Sequence, residues 1–63
     1  MMSQAYVNKV RDHFNGDMQK ALDWFGRNNP SLDFNSPLKL IRNGQQRKVE
    51  KHIDNAIKKG LTL

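Results

Sequence analysis

The sequence predicts an all-α protein, a single small domain of four helices that spans residues 1–63. Apolar residues recur at spacings of three and four along several segments, which is the period of a helix with one buried face. Gly, Asn or Pro residues separate these segments from one another. With only 63 residues, the chain has no room for a second domain of ordinary size.

Four helices are predicted, over residues 3–14, 17–25, 36–43 and 45–59. Ser3, Asp17 and Ser36 are the expected N-caps of the first three, because their side-chain oxygens can accept hydrogen bonds from first-turn N–H groups. Pro37 follows at a first helical position, where a missing N–H costs nothing. Gly60 is expected to end the fourth helix, directly after two lysines that favour the negative end of the helix dipole.

The inner faces of these helices supply the predicted core. Its largest members are expected to be Phe14, Trp24, Phe25, Phe34, Leu40 and Ile53. The inner face of the second helix is expected to comprise Met18, Ala21, Leu22 and Phe25. Leu32 and Phe34 alternate within the turn-forming segment 27–35 and are expected to anchor that loop to the core. A core this small leaves a net stability of roughly 3–5 kcal/mol, so a bound partner would add a large fraction of the total.

The net charge of +5 lies entirely in the second half of the chain. Residues 1–34 hold four basic and four acidic side chains, whereas residues 35–63 hold seven basic and two acidic ones. This asymmetry favours an acidic partner, either nucleic acid or an acidic protein surface. The alternative is a basic face that is solvated and has no partner.

The sequence contains no recognisable constellation of catalytic or metal-binding residues. His13 and His52 lack a second His or Cys at ligand spacing, so we expect both to pack at the surface or at the core edge. No serine has an evident general base beside it. We therefore predict no enzyme activity, no metal and no cofactor. The absence of cysteine and of any long apolar run predicts a cytoplasmic protein without a membrane partner.

One face of the last helix is basic. On a helical wheel Arg47, Lys51 and Lys58 lie opposite the apolar stripe, and Asp54, which lies among them, is expected to pair with Lys58. A basic helix face can follow a phosphate backbone. An alternative function is therefore nucleic-acid binding through Arg42, Arg47, Lys48, Lys51 and Lys58. A third alternative is a homodimer whose second copy covers exposed apolar residues.

Several landmarks occur in a fixed order from residue 16 onward. They are Gly16-Asp17, Ala21 with Trp24-Phe25, Asn29-Pro30 with Leu32, Ser36-Pro37-Leu38 with Leu40, then Gly44, Val49 and Gly60. Residues 16–63 thereby resemble the C-terminal toxin-binding domain of the Xre/MbcA/ParS-type antitoxins. That family shows an Ala-x-x-Trp-Leu helix, an Asn-Pro loop, a Ser/Thr-Pro-Leu helix start and a closing helix that ends in Gly plus a few residues. Two features differ, because Phe25 stands where Leu is usual and Leu32-Asp33-Phe34-Asn35 replaces the family's Leu-Gly-Gly loop.

The resemblance implies a protein-binding role. Antitoxins of this family pair with RES-domain toxins that degrade NAD, and their last helix and C-terminal tail block the toxin's active site. Carried over by position, the tail residues Gly60, Leu61, Thr62 and Leu63 would form the plug, and Lys51, Lys58 and Lys59 would form its rim. Full-length members also carry an upstream helix-turn-helix-like domain that binds operator DNA. Only about 15 residues precede the match here, so the resemblance implies a stand-alone toxin-binding module.

The leading hypothesis is thus a protein-interaction module that inhibits its partner by occlusion, with an exposed apolar tail as the inserted part. The expected partner is a RES-type toxin or another host protein with an acidic surface. A bacterial, phage or other mobile-element origin is compatible with this hypothesis. For a phage protein, inhibition of a host defence complex is a further alternative.

Overall fold

The all-α class is confirmed by a computed structural model, which describes residues 3–63. Within these residues lie four α-helices: α1 (Gln4–His13), α2 (Met18–Gly26), α3 (Pro37–Arg42) and α4 (Gln46–Lys59). A short 3-10 helix, Pro30–Leu32, stands between α2 and α3. The predicted helix bounds agree with the observed ones to within one residue at each end. Helix α1 packs against α2 and α4, and α3 packs against the same two helices.

Two of the three expected N-caps are confirmed. The backbone N–H of Lys20 donates to Asp17 Oδ1 over 3.1 Å, and the N–H of Lys39 donates to Ser36 Oγ over 3.1 Å. Ser3 occupies the N-cap position of α1, but its side chain forms no capping hydrogen bond with the described residues. Local sequence therefore fixes the starts of α2 and α3 more firmly than the start of α1.

The core lies between the inner faces of the four helices. Its buried hydrophobic side chains are Val10, Ala21, Trp24, Leu32, Leu40, Val49, Ile53 and Ala56. Phe14 and Phe25 are partly buried against this cluster, as expected for core members. The prediction for Phe34 is wrong, because 71% of this residue is exposed. Met18 and Leu22, expected on the inner face of α2, are also exposed, because the buried face of this helix runs through Ala21 and Trp24.

A cluster of three polar side chains joins α1 to α4. The Tyr6 hydroxyl donates to Asp54 Oδ2 over 2.7 Å, and Lys9 Nζ donates to Asp54 Oδ1 over 3.0 Å. The expected pairing of Asp54 with Lys58 is therefore wrong, since both carboxylate oxygens face α1. The two hydrogen bonds, that of Tyr6 foremost, hold the pKa of Asp54 below its ordinary value. The same contacts raise the pKa of Tyr6 and of Lys9, because each donates to the carboxylate while protonated.

Replacing Asp54 with Asn should remove this pH-dependent link between α1 and α4. A lowered carboxyl pKa stabilises the fold above about pH 4, and the contribution is lost as pH falls through the lowered pKa. The raised pKa values of Tyr6 and Lys9 stabilise the fold below about pH 10, and this is lost as pH rises through them. The Tm difference between wild type and Asp54→Asn should therefore be largest near neutral pH and shrink in acid and in strong base.

Thermal melts followed by circular dichroism across this pH range measure the difference. Asp12→Asn, at an exposed position of α1, is the matched control and should follow the wild-type profile. A Tm difference for Asp54→Asn that stays constant from acid to base would contradict the assignment.

Candidate partner-binding surface

The end of α4 carries the residues expected to form the plug. Gly60 adopts a left-handed conformation with φ of +67°, and the N–H of Leu61 donates to the Ala56 carbonyl over 2.9 Å. This is the Schellman arrangement that commonly ends a helix at glycine. It turns the chain out of the helix and leaves Leu61 56% exposed in a groove that it shares with Ile57, which is 46% exposed. Two neighbouring aliphatic side chains thus face solvent at the end of α4.

The C-terminal segment, residues 60–63, is not a free tail throughout. Leu61 and Thr62 are exposed, but Leu63 is partly buried and packs against the core. A main-chain oxygen of Leu63 also accepts a hydrogen bond from Asn29 Nδ2 over 3.1 Å. The expectation of an exposed apolar tail is therefore corrected, because the segment is anchored at Leu63 and presents Leu61. An apolar side chain is more stable when it packs against a core than when it is exposed to water.

Asn29 connects the C-terminal segment to the preceding loop. We call residues 29–35 the Phe34 loop. Two backbone hydrogen bonds close this loop. The Asn29 N–H donates to the Asn35 carbonyl over 3.1 Å, and the Phe34 N–H donates to the Asn29 carbonyl over 3.0 Å. The Asn29 side chain accepts from the Ser31 N–H over 2.9 Å. Buried Leu32 ties the loop to the core, so this part of its expected anchoring is confirmed.

The Phe34 loop contains two non-glycine residues in the left-handed region. Asp33 has φ of +56° and Phe34 has φ of +62°. Asp tolerates this conformation better than most residues, but for a bulky side chain it is an outlier. A strained residue of this kind costs about 1–3 kcal/mol and persists only where the surrounding structure enforces it. The two positive φ values turn the chain so that the Phe34 ring points to solvent.

A polar groove runs between the Phe34 loop and α4. Its lining on the helix side includes Lys48, Lys51 and His52, and its lining on the loop side includes Asp33 and Asn35. We call it the lysine groove. Lys48 and Lys51 are exposed, and within residues 3–63 neither has an acidic partner at ion-pair distance. The groove therefore presents unneutralised positive charge next to the Phe34 loop.

His52 lies at the core edge, as expected. Its ring stacks on the Trp24 indole with centroids 6.2 Å apart and 5° between the planes. His13 packs edge-on against Phe14, with centroids 5.1 Å apart. Both histidines are thus in aromatic contacts, and residues 3–63 contain no cluster of three or more potential metal-ligating side chains.

The remaining basic candidates do not converge on one site. Arg47 and Lys58 are exposed on the side of α4 opposite the core, in agreement with the helical wheel. Lys59 is exposed at the end of that helix, and Arg42 lies on α3 together with Lys39, in a separate groove. Of the residues proposed for nucleic acid, Lys48 and Lys51 share the lysine groove, and Arg47 and Lys51 line a second groove together with Asp54.

The display of Phe34 at the surface was not expected from the sequence. The only signal available was the difference between Asp33-Phe34 and the Gly-Gly of the resembled family, since glycine in a loop often marks a positive φ.

Comparison of the chain with protein-family models, with curated proteins and with solved structures finds no match. In the described part of the chain, no helix combines the length and the apolar character that crossing a membrane requires.

Proposed function

We propose that this chain is a small protein-interaction module that inhibits a partner by occlusion, as the toxin-binding domains of Xre/MbcA/ParS-type antitoxins do. The proposed partner is a RES-domain toxin. The proposed inhibiting surface is the end of α4 with the C-terminal segment, and the resemblance assigns its rim to Lys51, Lys58 and Lys59, all of which are exposed.

The apolar pair at the end of α4 is the observation that carries the proposal. Leu61 and Ile57 are 56% and 46% exposed and line one groove, in the part of the chain to which the resemblance assigns the blocking segment. Exposed aliphatic side chains that lie together on a small domain are typical of a protein-binding surface. The Phe34 loop does not add to this support, because Asp33-Phe34 departs from the family's Leu-Gly-Gly sequence.

The anchored C-terminal segment favours occlusion by a preformed surface over insertion of a loose peptide. The Leu63 contacts and the Gly60 turn hold Leu61 in place before any partner arrives. Little ordering entropy is then lost on binding, which favours affinity. Leu61 and Ile57 supply the apolar centre of the surface, and the lysines supply a polar rim.

Replacing Leu61 with Ser should abolish inhibition while the fold is retained. Leu61 is more than half exposed, so its removal costs the fold little, whereas an apolar centre of an interface carries much of the binding energy. The assay co-expresses the chain with a RES-domain toxin from the genome that encodes it and measures cellular NAD. Leu22→Ser is the matched control, because Leu22 is also 56% exposed but lies on α2.

Wild-type chain and Leu22→Ser should preserve NAD, and Leu61→Ser should not. Failure of the wild-type chain to preserve NAD would contradict the proposed function. Deleting residues 61–63 is a poorer test, because it also removes the packing and hydrogen bond of Leu63.

A second candidate function, nucleic-acid binding, is favoured by the unpaired cations of α4. Arg47, Lys48 and Lys51 are exposed, and none has an ion-pair partner within the part of the chain that the structure describes. Binding of this kind weakens steeply with salt, because each neutralised phosphate releases counterions. Titration of labelled duplex and single-stranded DNA at low and moderate salt tests it, with Lys48→Glu plus Lys51→Glu as the variant and Lys20→Glu as the control.

A further inference from the structure

We propose that Phe34 is a preformed aromatic anchor that inserts into an apolar pocket with an acidic rim on the protein partner. The inference rests on the proposed function, since it assigns a second contact point on the same partner. It adds the Phe34 loop and the lysine groove to an interface otherwise centred on the end of α4.

The exposure of Phe34 is the first observation. At 71% it exceeds that of every other exposed large hydrophobic residue in the described chain, and its neighbour Leu32 in the same loop is 8% exposed. Within this loop, Leu32 therefore packs into the core and Phe34 is exposed to solvent. Buried aromatic side chains are the residues that most often dominate the energetics of protein interfaces.

The backbone of the Phe34 loop is held in place before binding. In addition to the bonds made by Asn29, the Asn35 N–H donates to the Leu32 carbonyl over 3.0 Å and Asn35 Nδ2 donates to the same oxygen over 3.2 Å. These bonds enforce the strained conformation of Phe34. A ring displayed from a rigid backbone loses only its own rotational freedom when it enters a pocket, which is the general advantage of a preorganised anchor.

The charge beside the loop defines the chemistry of the partner's rim. Asp33 and Asn35, on either side of Phe34, line the lysine groove together with Lys48 and Lys51. Two unpaired lysines against one carboxylate leave the groove positive, so carboxylates on the partner would meet favourable potential there. The partner must therefore carry the pocket for the Phe34 ring and the acidic rim side by side.

Asp33 favours a protein over a nucleic acid at this surface. A single strand stacked on Phe34 would carry a phosphate at every nucleotide and would place one of them near the Asp33 carboxylate. A protein can instead place its carboxylates at the two lysines and a hydrogen-bond donor at Asp33. Mixed charge next to an exposed aromatic side chain is therefore better matched by a protein surface.

Two substitutions of Phe34 separate binding from folding. Phe34→Ala removes the ring and keeps the strained backbone, whereas Phe34→Gly removes the ring and relieves the strain. Both should weaken binding of the RES-domain toxin by about tenfold or more. Phe34→Gly should at the same time raise Tm by several degrees above that of Phe34→Ala. Phe34→Tyr should retain affinity, and Leu22→Ala should bind as the wild type does.

Affinity is measured by calorimetry with the purified toxin, and Tm by circular dichroism. Wild-type affinity in Phe34→Ala would overturn the anchor while leaving the proposed function standing. If the wild-type chain does not bind the toxin, the proposed function and the anchor both fail. Salt-sensitive binding of an oligo-dT strand that requires Phe34 would also overturn the inference, because it assigns the ring to nucleic acid.

Discussion

Ile53→Ala should leave most of this domain unfolded at room temperature, whereas Ile57→Ala should melt within a few degrees of the wild type. Ile53 is fully buried and contributes the largest fully buried side chain. Ile57 lies one helical turn further along α4 and is 46% exposed. The two variants therefore remove the same atoms from the same helix and differ only in what surrounds them.

The magnitude follows from the size of the core. Truncating a buried Ile to Ala costs about 2–5 kcal/mol, because the transfer free energy is lost and a cavity remains. A single domain of this length has roughly 3–5 kcal/mol of net stability, so the loss is comparable to the total. An exposed substitution away from special features changes stability by about 0.5 kcal/mol or less.

Urea titration followed by circular dichroism measures both variants against the wild type. Equal midpoints for Ile53→Ala and Ile57→Ala would contradict the packing described here. If the proposed RES-domain toxin binds this chain, a saturating amount of it should refold Ile53→Ala in part, because a ligand that binds only the native state shifts the equilibrium toward it.

Asn29→Asp should release the C-terminal segment from the Phe34 loop. The Asp side chain can still accept from the Ser31 N–H, so the start of the 3-10 helix keeps its cap. The Asp side chain can no longer donate to the main-chain oxygen of Leu63 and places a negatively charged oxygen against it. Losing a hydrogen bond so that a partly buried acceptor is left unsatisfied costs about 1–3 kcal/mol.

The loss of toxin inhibition in Asn29→Asp should be larger than the loss of folded protein alone would cause. Among the described residues, the Asn29 side chain is the one that forms hydrogen bonds with both the C-terminal segment and the Phe34 loop. Toxin inhibition should fall in Asn29→Asp, and hydrogen exchange should rise at residues 61–63 more than in α2. Asn28→Asp adds the same charge at an exposed neighbouring position and is the control. Unchanged exchange at residues 61–63 would show that Leu63 packing alone holds the segment.

Local signals predicted the helices well. Asp17 and Ser36 cap α2 and α3 through hydrogen bonds to residues three positions further along, and such bonds depend on nothing outside one turn. The Gly60 stop of α4 is equally local. Features of this range can be recognised from a short stretch of sequence, because the partner atoms are always close by.

Phe34 and Asp54 show where local reasoning fails. The alternation of Leu32 and Phe34 indicated two inward side chains, but left-handed conformations at two non-glycine residues turned the second one outward. Asp tolerates that conformation better than most residues, but a bulky residue such as Phe does not signal it. Asp54 had Lys58 at the ordinary helical spacing, yet its partners are 45 and 48 positions away in α1. Such partners become visible only when the packing of α1 against α4 is known.

The stacking of Trp24 on His52 gives the molecule an intrinsic optical probe. Trp24 is the only tryptophan in the chain, so all indole emission originates at the contact between α2 and α4. Any event that separates these two rings changes the polarity around the indole and shifts its emission. The proposed docking against the neighbouring groove, whose lining includes His52, can therefore be followed in unlabelled protein through the emission of Trp24.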